Sequence, residues 1–133
     1  MQQRTLAAPE ANPETSAYWE AAKQGVLLVR RCTDCGRAHY YPRALCPFCF
    51  SDRGDWQPAS GNGTIYSFSV MQRAPLPYAI AYVTLQEGPT MLTNIVDCDF
   101  NALRIGMAVK VVFKPTEGGA ALPMFTLAPE TPA

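Results

Sequence analysis

The chain has 133 residues, 48% of them hydrophobic and 17% charged, enough for one modest core or for a small core with a metal-held appendage. Eleven basic residues balance eleven acidic ones, which argues against a general nucleic-acid binder, whose phosphate contacts need a basic excess. No apolar run approaches the roughly 20 residues that cross a bilayer, and Met1-Gln2-Gln3-Arg4 leads into no apolar stretch, so a cytoplasmic address is expected and no membrane contact.

Residues 1–12 are polar and rich in Pro and Ala, and read as a loose arm. A helix is expected with Asn12 as its cap, Pro13 at its first position and Glu14 at the favourable end of the dipole. It runs through Gln24 and stops at Gly25, a residue suited to a left-handed terminator. Tyr18, Ala21 and Ala22 share one face, small apart from Tyr18, and fit either the chain's own domain or a partner. Val26-Leu27-Leu28-Val29 reads as a short strand that delivers the chain to Cys32.

Next come two Cys-x-x-Cys knuckles, Cys32-Thr33-Asp34-Cys35 and Cys46-Pro47-Phe48-Cys49, separated by ten residues. Each knuckle folds back so that its sulfurs converge, and two knuckles supply four thiolates, the closed set of a structural Zn²⁺. Iron competes, because Cys46-Pro47-x-Cys49 resembles half of a rubredoxin; a red protein would mark such an electron carrier. Disulfides fit less well, since this spacing gives cramped bridges. The ribbon is too short to bury a core and must be held by metal. With four cysteines filling the site, His39, beside Tyr40 and Tyr41, is expected to be a packing or surface residue.

From Trp56 the texture changes to strands and turns. Gly61-Asn62-Gly63 turns the chain, and Tyr66, Phe68 and Val70 alternate with Ser67 and Ser69 as a half-buried strand. Tyr78 to Leu85 follows, with Tyr78, Ile80 and Tyr82 on one face and Ala79, Ala81, Val83 and Leu85 on the other. Both faces are apolar, as in a strand buried on two sides or touching a partner. Met91–Val96, Val109–Phe113 and Met124–Leu127 complete five strands, which predicts a small Greek-key barrel of the OB type. A frayed tail is expected after Ala128. The domain reading is arm and helix over 1–25, zinc ribbon over 26–55 and barrel with flexible tail over 56–133; the fold class is mostly β.

Several motifs in this order resemble the zinc-ribbon/OB-fold proteins known as domain of unknown function 35. They are Tyr18-Trp19-Glu20-Ala21-Ala22 before a glycine, Arg31-Cys32-x-x-Cys35-Gly36, Pro42-Arg43-x-x-Cys46-Pro47-x-Cys49, Gly61-x-Gly63-x-Ile65-Tyr66-Ser67 and Ile105-Gly106-Met107 before Val109-Lys110-Val111. The resemblance implies a helix, a rubredoxin-like ribbon and an OB barrel. It also implies a non-catalytic accessory subunit of a thiolase-like acyl-CoA enzyme (a thiolase, aldolase or ketosynthase-like acyltransferase), with a hydratase-fold protein as a further partner and acyl-CoA as a ligand.

The residues themselves disfavour independent acyl-transfer chemistry, which needs a nucleophilic cysteine beside a basic histidine. Only Cys98 and His39 remain outside the metal set, and Asp97 and Asp99 flank Cys98 and disfavour its thiolate. The expected catalytic residues are therefore none. Arg30, Arg31, Arg37 and Arg43 are candidates to meet CoA phosphates or a partner, against the plainer reading that they offset the charge of the thiolate cluster. Tyr18, Trp19, Tyr78 and Tyr82, with the loop Ala74-Pro75-Leu76-Pro77, are candidates for the partner interface. The competing class is a single-stranded nucleic-acid module stacking bases on Tyr66, Phe68, Tyr78 and Tyr82.

Overall fold

A computed structural model describes residues 5–128. The helix α1 spans Ser16–Lys23 and eight strands follow: β1 Leu28–Cys32, β2 Ala38–His39, β3 Gly54–Pro58, β4 Asn62–Met71, β5 Tyr78–Leu85, β6 Thr90–Ile95, β7 Ala108–Pro115 and β8 Ala121–Leu127. The first three form an antiparallel sheet in the order β2-β1-β3, and the last five close into a barrel in the order β4-β5-β6-β8-β7. Barrel pairings are antiparallel except β6 with β8, which meet in parallel at Ile95 and Phe125. The expected tail after Ala128 lies outside the described residues. Among those residues, no helix is long and apolar enough to cross a membrane.

The helix begins later than the sequence predicts. Asn12 Oδ1 accepts from Thr15 N at 3.0 Å while Asn12 N donates to Thr15 Oγ1 at 3.1 Å. This reciprocal pair closes a turn over residues 13–15 before the helix proper. Glu14 is drawn away from the helix end, its carboxylate accepting from Ala44 N at 2.6 Å. Gly25 ends the helix at φ 78°. Val26 belongs to that turn, its N–H donating to Ala21 O, so β1 starts two residues later than expected and runs into Cys32.

Residues Gly54–Pro58 pair with β1 along its whole length, placing Trp56 opposite Arg30. Trp56 therefore pairs within the ribbon sheet, and β3 runs across the expected boundary at 55/56. A short strand carries no alternation long enough to reveal its pairing partner, so this could not be read from sequence.

Inside the barrel, Ile65, Ala79, Ala81, Val83, Leu85, Met91, Ile95, Val109 and Phe125 are buried. Tyr18, Trp19, Ala22, Leu27 and Val29 extend the same cluster under the helix. Tyr18 and Trp19, expected at a partner interface, are thus core residues of this chain. Tyr18 OH pairs with Tyr40 OH at 2.7 Å and Trp19 Nε1 donates to Tyr41 OH at 2.9 Å, so the helix is tied to the ribbon through paired, buried polar atoms. Burial pushes both the Tyr18 and the Tyr40 hydroxyl pKa up, that of Tyr40 to about 12.

Both glycines of Gly61-Asn62-Gly63 have a physical reason. Gly61 sits at φ 84°, and a Cβ there would lie 2.6 Å from Val111 Cγ1. A Cβ on Gly63 would lie 2.6 Å from Val83 Cγ1 and 2.9 Å from the Thr84 carbonyl oxygen. The strands could not approach with any larger residue. Gly63→Ala is expected to destabilise the chain by about 2 kcal/mol through overpacking, read as a lower urea midpoint at unchanged slope. Wild-type stability in that variant would refute the close-approach argument.

Candidate metal centre

The strand β1 ends on Cys32, β2 returns the chain after the first knuckle, and the second knuckle leads into β3, so the small sheet aims both knuckles at one point. The sulfurs of Cys32, Cys35, Cys46 and Cys49 all lie within 4.8 Å of one another. Cys32 Sγ is 3.6 Å from Cys49 Sγ, and Cys35 Sγ is 3.7 Å from Cys46 Sγ. A tetrahedron with metal–sulfur bonds of about 2.3 Å has edges of about 3.8 Å. These separations match it and are far too long for disulfide bonds, which measure about 2.05 Å. Backbone amides support the cluster: Cys35 N donates to Cys32 Sγ at 3.5 Å and Phe48 N to Cys46 Sγ at 3.4 Å.

The electrostatics ask for a cation. The Cys35 N–H, outweighing burial, draws the Cys32 thiol down to about 7. At Cys49 the Ser51 N–H favours the thiolate, but burial and the three neighbouring sulfurs push the thiol up to about 12. Four thiolates at these distances repel one another unless a divalent ion is shared among them. With all four positions taken by sulfur, the ion is closed to water and substrate and is structural.

Around the centre the four candidate arginines divide rather than converge. Arg30 and Arg31 are successive in β1 and point to opposite faces. Arg31 donates to Gln57 Oε1 at 2.8 Å and to Gly36 O at 2.7 Å. Arg37 stacks on Phe48, 3.5 Å from the ring centre, and Arg30 lies over Trp56 at 5.1 Å. Arg43 is 4.0 Å from Glu14, with 62% of its side chain exposed. Arg30, Arg43 and Arg53 line a small cavity together with His39, Cys32 and Cys46.

His39 is buried and is not a ligand of the cluster. Its Nε2 accepts from Arg43 N at 3.3 Å, and Nδ1 has no hydrogen-bond partner among the described residues. Burial, then the charges of Arg30 and Arg43, hold its pKa below the usual value of 6.5. The folded chain keeps His39 neutral where the unfolded chain takes up a proton, so stability is complete above about pH 6.5 and declines as the pH falls below it. Urea midpoints at pH 7.5 and 5.5, on chain of verified metal content, should fall more steeply in wild type than in His39→Gln. Equal slopes would contradict this.

Cys98 is half-buried beside the barrel core. Burial raises its pKa, and Asp99 and Asp97 raise it further. Nothing here activates a nucleophile.

Exposed apolar residues lie both on the barrel and beside the second knuckle, and sequence reasoning missed most of them. Tyr66 is 67% exposed although it alternates with Phe68 and Val70. A bulge between Ile65 and Ser67 turns it outward, leaving Ile65 opposite Val83 and Ser67 opposite Tyr82. Tyr82, Leu92 and Ile105 are also exposed, as are Leu45, Phe48 and Phe50 around the second knuckle. Phe50 holds φ 64°, where a non-glycine residue costs about 1–2 kcal/mol.

A family model described as the rubredoxin-like zinc ribbon domain of ChsH2 matches residues 19–54, and one described as its C-terminal OB-fold domain matches residues 56–114. A DUF35 domain-containing scaffold protein of Methanocaldococcus jannaschii is 34% identical over 105 residues, covering 72% of this chain and 74% of the relative. The chain belongs to the DUF35 family. Its four-cysteine centre is accordingly that of a zinc ribbon, and the metal is structural Zn²⁺.

Two further likenesses bear on function. A solved chain described as Ltp2-ChsH2(DUF35) aldolase superposes with a TM-score of 0.81 at 33% identity, covering 90% of this chain and 98% of that one. A probable enoyl-CoA hydratase alpha subunit of Thermomonospora curvata is 34% identical over 122 residues, covering 88% of this chain. The chain spans only 38% of that relative's length.

Proposed function

We propose that this chain is a non-catalytic accessory subunit of an acyl-CoA enzyme. The observation that carries the reading is its likeness, over nearly the whole length of both chains, to the DUF35 chain of an aldolase assembly. The chemistry agrees. The zinc is closed, Cys98 is held as a thiol, and His39 is buried and bonded to a backbone amide rather than poised beside a nucleophile. Bond-making therefore resides in a partner, and a thiolase-like aldolase or acyltransferase is the partner class we infer, with a hydratase-fold protein as the second. Of the two exposed arginines among the four, Arg37 packs on Phe48, whereas Arg43 holds only a long ion pair with Glu14, and we assign any contact with CoA phosphate to Arg43.

The single-strand nucleic-acid reading finds less support. Tyr66 and Tyr82 are exposed, but no residue of β4, β5 or β6 carries a charge, whereas a strand-binding groove tracks the phosphates with cations.

The test is purification of the tagged full chain from its native cell, followed by native mass spectrometry and acyl-CoA assays. A stoichiometric complex with an acyl-CoA enzyme, and no turnover by the isolated chain, is the expected result. Turnover by the isolated chain, or recovery of the chain alone, would overturn it.

A further inference from the structure

The outer face of the barrel sheet β4-β5-β6 is unusual in composition. Across Asn62–Met71, Tyr78–Leu85 and Thr90–Ile95 there is no Asp, Glu, Lys, Arg or His, although solvated strand faces ordinarily carry such residues. In β5 the inner positions Ala79, Ala81, Val83 and Leu85 are buried, which turns Tyr78, Ile80 and Tyr82 outward. Tyr82 stands opposite Leu92 of β6 and Ser67 of β4. Tyr82 is 48% exposed, Leu92 55% and the bulge residue Tyr66 67%. Between Ser67, Ser69, Ile80, Tyr82 and Leu92 runs a shallow groove of about 150 Å³. Aromatic and branched apolar groups thus lie side by side, framed by hydroxyls and with no formal charge among them.

We infer that this face, centred on Tyr82, Leu92 and Tyr66, is the docking surface for the catalytic subunit, an inference that rests on the accessory-subunit reading. Charge narrows the occupant to an uncharged protein surface, and the accessory-subunit reading names the catalytic subunit. A face without cations gives nothing to CoA phosphates or to a nucleic-acid backbone. A charged protein surface pressed against it would lose its hydration with no counter-charge in return. The complement is an uncharged apolar patch of a protein, of the kind found at the core of subunit interfaces, where charged residues are depleted and Tyr is enriched. Tyr82 and Leu92 form its centre because they are directly opposed on neighbouring strands. Tyr66 widens it, since the bulge puts an additional side chain on the same face.

The experiment uses the catalytic subunit recovered with the tagged full chain, purified and titrated against Tyr82→Lys, Leu92→Lys and the milder Tyr82→Ser. Ile105→Lys is the control, because Ile105 is 70% exposed but lies outside these three strands. Zinc content and circular dichroism establish that each variant is folded, and hydroxyl-radical footprinting of wild-type Tyr66 and Tyr82 gives a readout that needs no variant. The expected result is affinity weakened about 100-fold by either lysine, as for a charge placed in an interface core. Tyr82→Ser should weaken it less, Ile105→Lys should bind normally, and both tyrosines should be protected in the complex. Unchanged binding by folded lysine variants, or unprotected tyrosines, overturns the docking face and leaves the accessory reading standing. A wild-type chain that retains no acyl-CoA enzyme overturns both. Self-association that the lysine variants abolish while the catalytic subunit still binds assigns the face to a second copy and also overturns the proposal.

Discussion

Cys46→Ser is expected to abolish stoichiometric zinc binding and to unfold the ribbon while the barrel remains. Between residues 33 and 53 only His39, Pro42 and Cys46 are buried, so this segment has almost no apolar core of its own. Structural zinc sites in small domains contribute on the order of 10–16 kcal/mol at neutral pH, more than any other single interaction in the chain can replace. A serine hydroxyl does not substitute for a buried thiolate that already accepts from Phe48 N. Both tryptophans, Trp19 and Trp56, lie outside the barrel strands, so tryptophan emission reports on the helix and ribbon. The expected signature is zinc-free protein, red-shifted emission and loss of amide protection over the knuckles, with barrel amides still protected. A zinc-free variant with native emission would show that the ribbon does not depend on the metal.

Phe125→Ala is expected to have the second-largest effect and to act on the other half of the molecule. Phe125 is fully buried in β8, opposite Val111 on one side and Ile95 on the other. Its carbonyl accepts from Val96 N at 2.8 Å, so the residue sits where β6, β7 and β8 close the barrel. Removing a buried phenyl ring costs about 3–5 kcal/mol, a large part of the 5–15 kcal/mol typical of a small domain. Urea denaturation followed by far-ultraviolet circular dichroism should show that loss, with zinc still bound under native conditions. A cost below about 1 kcal/mol would mean the core relaxes around the cavity.

How much of this was legible in the sequence depends on how local each signal is. The thiolates were legible because two knuckles at this spacing have few other uses, and Tyr78–Leu85 because its two faces are set by strict alternation. The pairing of β3 with β1 was not, since it joins short segments across the zinc loops. Tyr18 and Trp19 show a different limit. An aromatic pair beside small residues looks the same whether it packs against its own barrel or against another protein, and only the hydroxyl partners Tyr40 and Tyr41 decide between them. Tyr66 was misplaced because a single bulge reverses the period-two pattern downstream of Ile65. The absence of charge from β4, β5 and β6 was open to counting from the start; that the three strands are neighbours in one sheet was not.

The proposed accessory role accounts for a chain with no poised nucleophile that carries a metal-held ribbon and an uncharged barrel face, each suited to holding a second protein. The most direct measurement is add-back: the catalytic subunit is freed of this chain, and its acyl-CoA turnover and thermal stability are followed as purified chain is returned. Saturable recovery of activity and of thermal stability as wild-type chain is returned is the predicted result. Full activity of the catalytic subunit in the chain's absence, unchanged on its return, would contradict the account.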